Sequence, residues 1–164
     1  ATAYRNRVTN LINFSSPGSC DSAFGCYANV GKARLEGITL AATTKLGAFN
    51  LHGSVDFQYP RDTENDKLLA RRAKRYATLG AETRAAGWTW AADLQTSAKR
   101  FDNAANTNVL GGYTLFNLSA QTEVAKDVNL IARINNLADK RYQTARTYAT
   151  EGRSVYVGVK WMPR

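Results

Sequence analysis

The side chains that could do chemistry fall in three places. Arg71, Arg72, Lys74 and Arg75 form the densest basic run in a 164-residue chain with 22 Lys+Arg, 13 Asp+Glu and a net charge of +9. Such a run invites a nucleic-acid reading. The remaining charge is dispersed, however, and basic groups beside a membrane meet anionic head groups, so no nucleic-acid partner is expected. Cys20 and Cys26 share one polar stretch. Such a pair forms a short disulfide in an oxidising compartment and stays as two free thiols in a reducing one. With His52 as the single histidine and no further cysteine, the chain falls short of the about four ligands of a zinc site, and no metal is expected. His52, Ser54 and Asp56 share a strand face, which suggests hydrolysis. Their spacing merely follows the pleat, so no catalytic residue is assigned and the chain is read as a non-enzyme.

The elements that position these groups are strands. Phe49, Leu51, Gly53, Val55, Phe57 and Tyr59 alternate with Asn50, His52, Ser54, Asp56 and Gln58. The same period of two runs through Trp88 to Ala98, Phe116 to Val124, Val128 to Ile134 and Val155 to Trp161, and more weakly through Ala77 to Ala85 and Ile38 to Ala42. Residues 3–13 are extended by propensity, with ambiguous facing. About eight strands result, several near the ~9–11 residues that cross a membrane. No apolar run is long enough for a transmembrane helix. Ala1 to Asn13 lacks the apolar core of a signal peptide, which fits a mature form or a piece of something longer. At 44% hydrophobic residues and a mean hydropathy of -0.40, a soluble domain and a membrane barrel look alike, because a barrel wall needs apolar residues only at every second position.

The connections separate the two. Short turns at Gly47, Gly87 and Lys126-Asp127 alternate with long polar segments at 14–31, 60–73, 102–110 and 138–151. Up-and-down outer-membrane barrels sort their loops this way, with short periplasmic turns and long external loops. Asp56, Glu82, Arg84, Asp93, Lys99, Glu123 and Arg133 all fall on the polar face, where a wide barrel has water or a plug and a sandwich core would leave them unpaired. Tyr4, Phe49, Tyr59, Tyr76, Trp88, Trp90, Phe101, Tyr113 and Trp161 sit at strand ends, as an interfacial girdle would. The predicted fold is all-β: an antiparallel up-and-down transmembrane β-barrel segment of about eight strands.

Specific residues add to the pattern. Asn135 to Tyr142 (N-N-L-A-D-K-R-Y) resembles the N-L-x-D-K-x-Y motif near the end of TonB-dependent outer-membrane transporters. Gly152-Arg153 before a final alternating strand is similar to their last strand. Gly31 to Ile38 (G-K-A-R-L-E-G-I) resembles their recurring N-x-G-K-A-R-x-x-G-V segment. Leu68-Leu69 with Arg71-Arg72-Ala73-Lys74 resembles the L-L-R-R-A-K motif of the cobalamin-transporting members, with Ala70 inserted.

The resemblance implies that residues 1–164 are the C-terminal β-barrel segment of a larger plugged barrel, whose plug and N-terminal strands lie outside this stretch. It implies a bacterial outer-membrane location, contact with outer-membrane lipid, and TonB-coupled uptake of cobalamin or a related large chelate, TonB acting through the absent plug segment. No cofactor is expected beyond that ligand. Arg71 maps onto the corrinoid-contacting arginine, with Arg72 beside it; an arginine offers several fixed donors to amides or a phosphate. A second contact in the family is a tyrosine in the next external loop. Residues 102–110 hold none, and Phe101 is the nearest aromatic. The chain also ends Trp161-Met162-Pro163-Arg164 rather than in the usual Phe. The alternatives are a siderophore receptor of the same family, a self-contained eight-stranded barrel, and a soluble β-sandwich binding module.

Overall fold

The computed structural model describes residues 1–15 and 21–163. In chain order the strands are β1 Thr2–Ser15, β2 Cys26–Leu46, β3 Phe49–Asp62, β4 Lys67–Leu68, β5 Arg75–Ala85, β6 Trp88–Ser97, β7 Arg100–Phe101, β8 Val109–Leu110, β9 Tyr113–Ala125, β10 Val128–Asn135 and β11 Ser154–Trp161. The long strands pair antiparallel with their sequence neighbours in the order β1-β2-β3-β5-β6-β9-β10-β11. Among the described residues the long strands all lie in one continuous sheet, with only the short β7-β8 pair outside it, and not in the two packed layers of a sandwich. β1 does not pair with β11, so the sheet is not closed on itself.

Tight turns set the register. Leu46 pairs with Phe49, Ala85 with Trp88 and Ala125 with Val128, leaving two residues in each turn. Gly47 (φ 58°), Ala86 with Gly87 (φ 51° and 80°) and Asp127 (φ 63°) supply the positive φ that lets a two-residue hairpin match the strand twist. Residues paired directly across antiparallel strands share a face. The rows Leu40-Val55-Ala77-Thr96 and Gly53-Leu79-Leu94-Phe116 therefore lie on one surface, and Ala120-Ala132-Val157 continues it. The rows Thr39-Asp56-Tyr76-Ser97 and His52-Gly80-Asp93-Asn117 lie on the other. Register also settles the facing of β1: Ala3 joins the apolar row at Ile38, and Tyr4 joins the polar side at Gly37.

The apolar surface carries the largest hydrophobic side chains, and they are exposed: Leu79 is 56% accessible, Val157 66% and Trp161 70%. A water-soluble domain hides such residues, whereas a barrel wall turns them to lipid. The polar surface is crossed by hydrogen bonds between strands. Thr39 Oγ1 donates to Asp56 Oδ1 at 2.6 Å, and Ser54 and Thr78 hydroxyls meet at 2.9 Å. His52 Nε2 stands 3.9 Å from Asp93 Oδ1 across β5. Gly80 makes that approach possible, since a Cβ there would lie 2.2 Å from the imidazole. Thus Asp56, Ser54 and His52 each engage a different neighbouring strand and do not converge as a triad.

Two expectations need revision. The external segments are partly strand: β1 and β2 run on to pair Ser15 with Cys26, and short β4 pairs with β3, while β7 pairs with β8. Tyr4, Tyr76 and Tyr113 share the inward rows of Gly37, Asp56 and Ser97, so they do not belong to a lipid-facing girdle. Phe49, Tyr59, Trp88, Trp90 and Trp161 keep that position. Of the cysteine pair, Cys26 opens β2 and Cys20 lies outside the described residues.

The two faces predict opposite tolerances to charge. Leu94→Arg, in mid-strand on the lipid side, should cost about 2–4 kcal/mol in reversible unfolding from bilayers, and Gln95→Arg, one residue away on the lumen side, under about 1 kcal/mol. Equal costs for the two would mean that the sheet does not separate lipid from water.

Candidate functional site

The two-residue turns gather at one end of the sheet. At the other end the external segments 63–74, 100–110 and 137–153 fold over one another, and the described buried residues concentrate there: Pro60, Leu69, Ala73 and Leu110 among the apolar ones, Asp62, Ser97, Arg100 and Asn136 among the polar. Asn136 explains much of the N-N-L-A-D-K-R-Y motif. It adopts the left-handed conformation (φ 49°), which asparagine tolerates better than most residues. Its amide donates to the Lys140 carbonyl at 3.0 Å and its side-chain oxygen accepts from the Lys140 amide at 2.8 Å. Asp139 then accepts from the Arg153 amide at 2.9 Å, tying the start of the last long segment to its end.

Asp102 joins the three segments. One carboxylate oxygen accepts from Arg71 Nε at 2.8 Å and from the Arg146 amide at 3.1 Å. The Arg71 amide donates to the Phe101 carbonyl at 2.6 Å, with Arg71 itself left-handed at φ 59°. Asn106 clasps Leu68 from both sides, accepting from its amide and donating to its carbonyl at 2.8 and 2.9 Å. Arg146 also reaches the Asn108 side chain at 2.8 Å. Below this layer Arg100, nearly buried, donates to the Gln143 carbonyl at 2.8 Å and lies over the Tyr113 ring, which packs on Tyr142 at 4.4 Å between centroids.

The structure therefore brings Arg71 and Phe101 together through the backbone, with the Arg71 guanidinium held by Asp102 and still partly exposed. Arg72 and the Phe101 side chain line a separate cleft of about 310 Å³ with Leu68, Lys74 and Val109. Asp102, Arg146, Asn106 and Arg100 were not singled out by sequence. Asp102 and Asn106 sit in a stretch rich in Asn, Asp and Thr, which marks a turn but does not say which other loop it will bind.

Asp62, at the loop end of β3, braces the turn before β4. Burial pushes its carboxyl up, and hydrogen bonds from the Asn65 side chain and from the Glu64 and Asn65 amides outweigh that, leaving it below its ordinary value. The bonds run 2.8 to 3.2 Å.

Comparison with known proteins gives this arrangement its class. Residues 1–137 match the family model described as TonB dependent receptor-like, beta-barrel, and the chain belongs to that family of outer-membrane receptors and transporters of Gram-negative bacteria. It is 29% identical to the vitamin B12 transporter BtuB of Vibrio vulnificus over 98% of this chain and 26% of that protein. It is 31% identical to the BtuB of Photobacterium profundum over 94% of this chain and 26% of that protein. The chain thus spans about a quarter of the length of these relatives. Among solved structures, the copper transporter OprC aligns over 97% of this chain and 28% of its own with a TM-score of 0.80 at 21% identity. The siderophore receptor PiuA from Acinetobacter baumannii aligns over 97% and 25% with 0.74 at 27%.

Two outcomes follow from the loop network. Asp102→Ala removes the shared acceptor, so amide exchange should accelerate in 63–74 and 137–153 together; acceleration in one segment alone would show that Asp102 does not couple them. For Asp62, a lowered folded pKa contributes stability that is present above the unfolded aspartate value of about 3.9 and is lost as pH falls through the folded value. Protection of the Glu64 and Asn65 amides, corrected for intrinsic exchange rates, should hold from pH 7 to 5 and fail below about 4. In Asp62→Asn that acid step should vanish.

Proposed function

We propose that this chain is part of an outer-membrane active transporter that takes up cobalamin, or a related large chelate, with energy coupled through TonB. The observation that carries the reading is the L-L-A-R-R-A-K run of residues 68–74 in a chain similar to two vitamin B12 transporters over nearly its whole length. TonB would act through a plug segment outside these residues. Arg71 is the ligand contact in this reading. Asp102 fixes its Nε and leaves the terminal nitrogens to donate to amides or a phosphate. Arg72 and Phe101 are the adjacent polar and aromatic contacts.

A second reading, uptake of a ferric siderophore or another metal chelate, is supported by the likeness to PiuA at 27% identity and by the missing tyrosine in residues 102–110. The two separate in a binding assay on the protein extracted from outer membranes. Cyanocobalamin should bind, and Arg71→Ala should weaken it about tenfold or more, the loss expected for a hydrogen bond from a charged donor. Arg84→Ala, at the turn end, should bind as wild type does. Unchanged affinity in Arg71→Ala would remove Arg71 from the site. Binding of ferric siderophores with none of cobalamin would favour the second reading.

A further inference from the structure

The external segments bring a second arginine to Asp102. Arg146, from the last of them, bonds to both ends of the 102–108 turn between β7 and β8. Its amide donates to Asp102 Oδ1 at 3.1 Å, and its Nη1 donates to Asn108 Oδ1 at 2.8 Å. That turn is itself fixed. The Asp102 amide donates to the Asn108 carbonyl at 2.8 Å, and Asn103 Oδ1 accepts from the Asn108 amide at 3.0 Å.

The charges at this point do not balance. The oxygen that takes the Arg146 amide also takes Arg71 Nε at 2.8 Å, so the Asp102 carboxylate is the counter-ion of Arg71. The Arg146 guanidinium rests on a neutral amide oxygen, and among the described residues it has no ion-pair partner. A staple alone needs no charge, because a glutamine amide could donate to Asn108 as well. Arg71 and Arg146 are both exposed, and each guanidinium has one nitrogen held and others left to donate. An anion accepts from such forks through short, charge-assisted bonds. Because fixed acceptors already aim both forks, little side-chain ordering is left for a ligand to impose. Arg72 takes no part, since it lines the separate cleft with Phe101.

We infer that Arg71 and Arg146 together grip one acidic group of the transported chelate, a phosphodiester or a carboxylate, an assignment that rests on the loop end being the chelate's site and adds the chemical class of the group it holds. Arg146 is the residue that sets the preference. A chelate that presents only amides and hydroxyls leaves its charge unmatched, whereas an acidic group supplies the counter-ion that Asp102 gives to Arg71 alone.

The test is titration of the full-length protein, extracted from outer membranes into neutral detergent, with cyanocobalamin and with dicyanocobinamide, which keeps the corrin amides and lacks the phosphodiester. Arg146→Gln should weaken cyanocobalamin about tenfold, the loss of a charged hydrogen bond, and dicyanocobinamide less than about twofold. Arg146→Lys should recover part of the loss, and Arg84→Gln, at the turn end, should match wild type. In Arg71→Gln/Arg146→Gln the loss should fall short of the product of the single losses, as it does for two residues on one group. Equal weakening of both corrinoids in Arg146→Gln, or wild-type affinity for both, overturns the assignment, and a double loss equal to the product overturns the shared grip. If Arg146→Gln loses its heat-resistant migration on gels, Asn108→Ala decides, because it frees the guanidinium without removing it: selective weakening of cyanocobalamin supports the grip, and any other result overturns it. Wild-type protein that binds neither corrinoid removes cobalamin as the ligand without deciding the grip. The same variants are then read with ferric citrate, which is anionic, against ferrichrome, which is neutral. Selective loss of ferric citrate in Arg146→Gln supports the grip, and equal loss, no loss, or wild-type binding of neither overturns it.

Discussion

One ribbon separates two solvents, and the rest of the structure follows from that. Inside a bilayer no water satisfies backbone amides and carbonyls, so each must bond to a neighbouring strand. The uninterrupted ladder from β1 to β11 does this through the antiparallel registers of all the long strands. Once the ladder is fixed, alternation distributes side chains without further choice. Leucines, valines and tryptophans turn to lipid, and Asp56, His52 and Asp93 turn to the lumen. Among the long strands described, β1 and β11 end the ladder with open edges, and such edges are templates for pairing with further strands. That fits a chain spanning about a quarter of its relatives.

A sheet wet on one side and oily on the other has no conventional core. At the loop end the buried side chains of Asn136 and Arg100 are each held by more than one hydrogen bond. Asn136 and Arg100 are nearly inaccessible, and each is matched to backbone carbonyls. Leaving such groups unpaired costs more than the bond contributes when made, so the network holds the external segments in one arrangement. The Arg71 guanidinium is oriented by the same sharing of acceptors: Asp102 serves Arg71 and the Arg146 amide with one oxygen.

Most of the wall was legible in the sequence because its rule is local. A period of two and a positive-φ residue at Gly47, Gly87 and Asp127 specify strand, face and turn with information a few residues long. The facing of residues 3–13 was not legible, since Arg5 and Arg7 share the outward parity of Ala3 and only the pairing with Ile38 fixes it. Tyr76 and Tyr113 misled for a related reason. Aromatics suit strands on either face, and position at a strand end does not say which side of the wall they take. The external site was the least legible. The basic run at 71–75 was visible, but Asp102 lies 31 residues from Arg71 and is tied to it by tertiary folding alone.

The most direct measurement is the accessibility of nitroxide labels placed one at a time along β5 and β6, from residue 77 to 83 and from 90 to 96, with the protein in bilayers. Collision with lipid-soluble oxygen should peak at 77, 79, 81 and 83 and at 90, 92, 94 and 96. Collision with a water-soluble nickel chelate should peak at the positions between. Equal exposure of both sets to the water-soluble reagent, or burial of the first set in a monomer that stays soluble without detergent, would contradict the two-solvent wall.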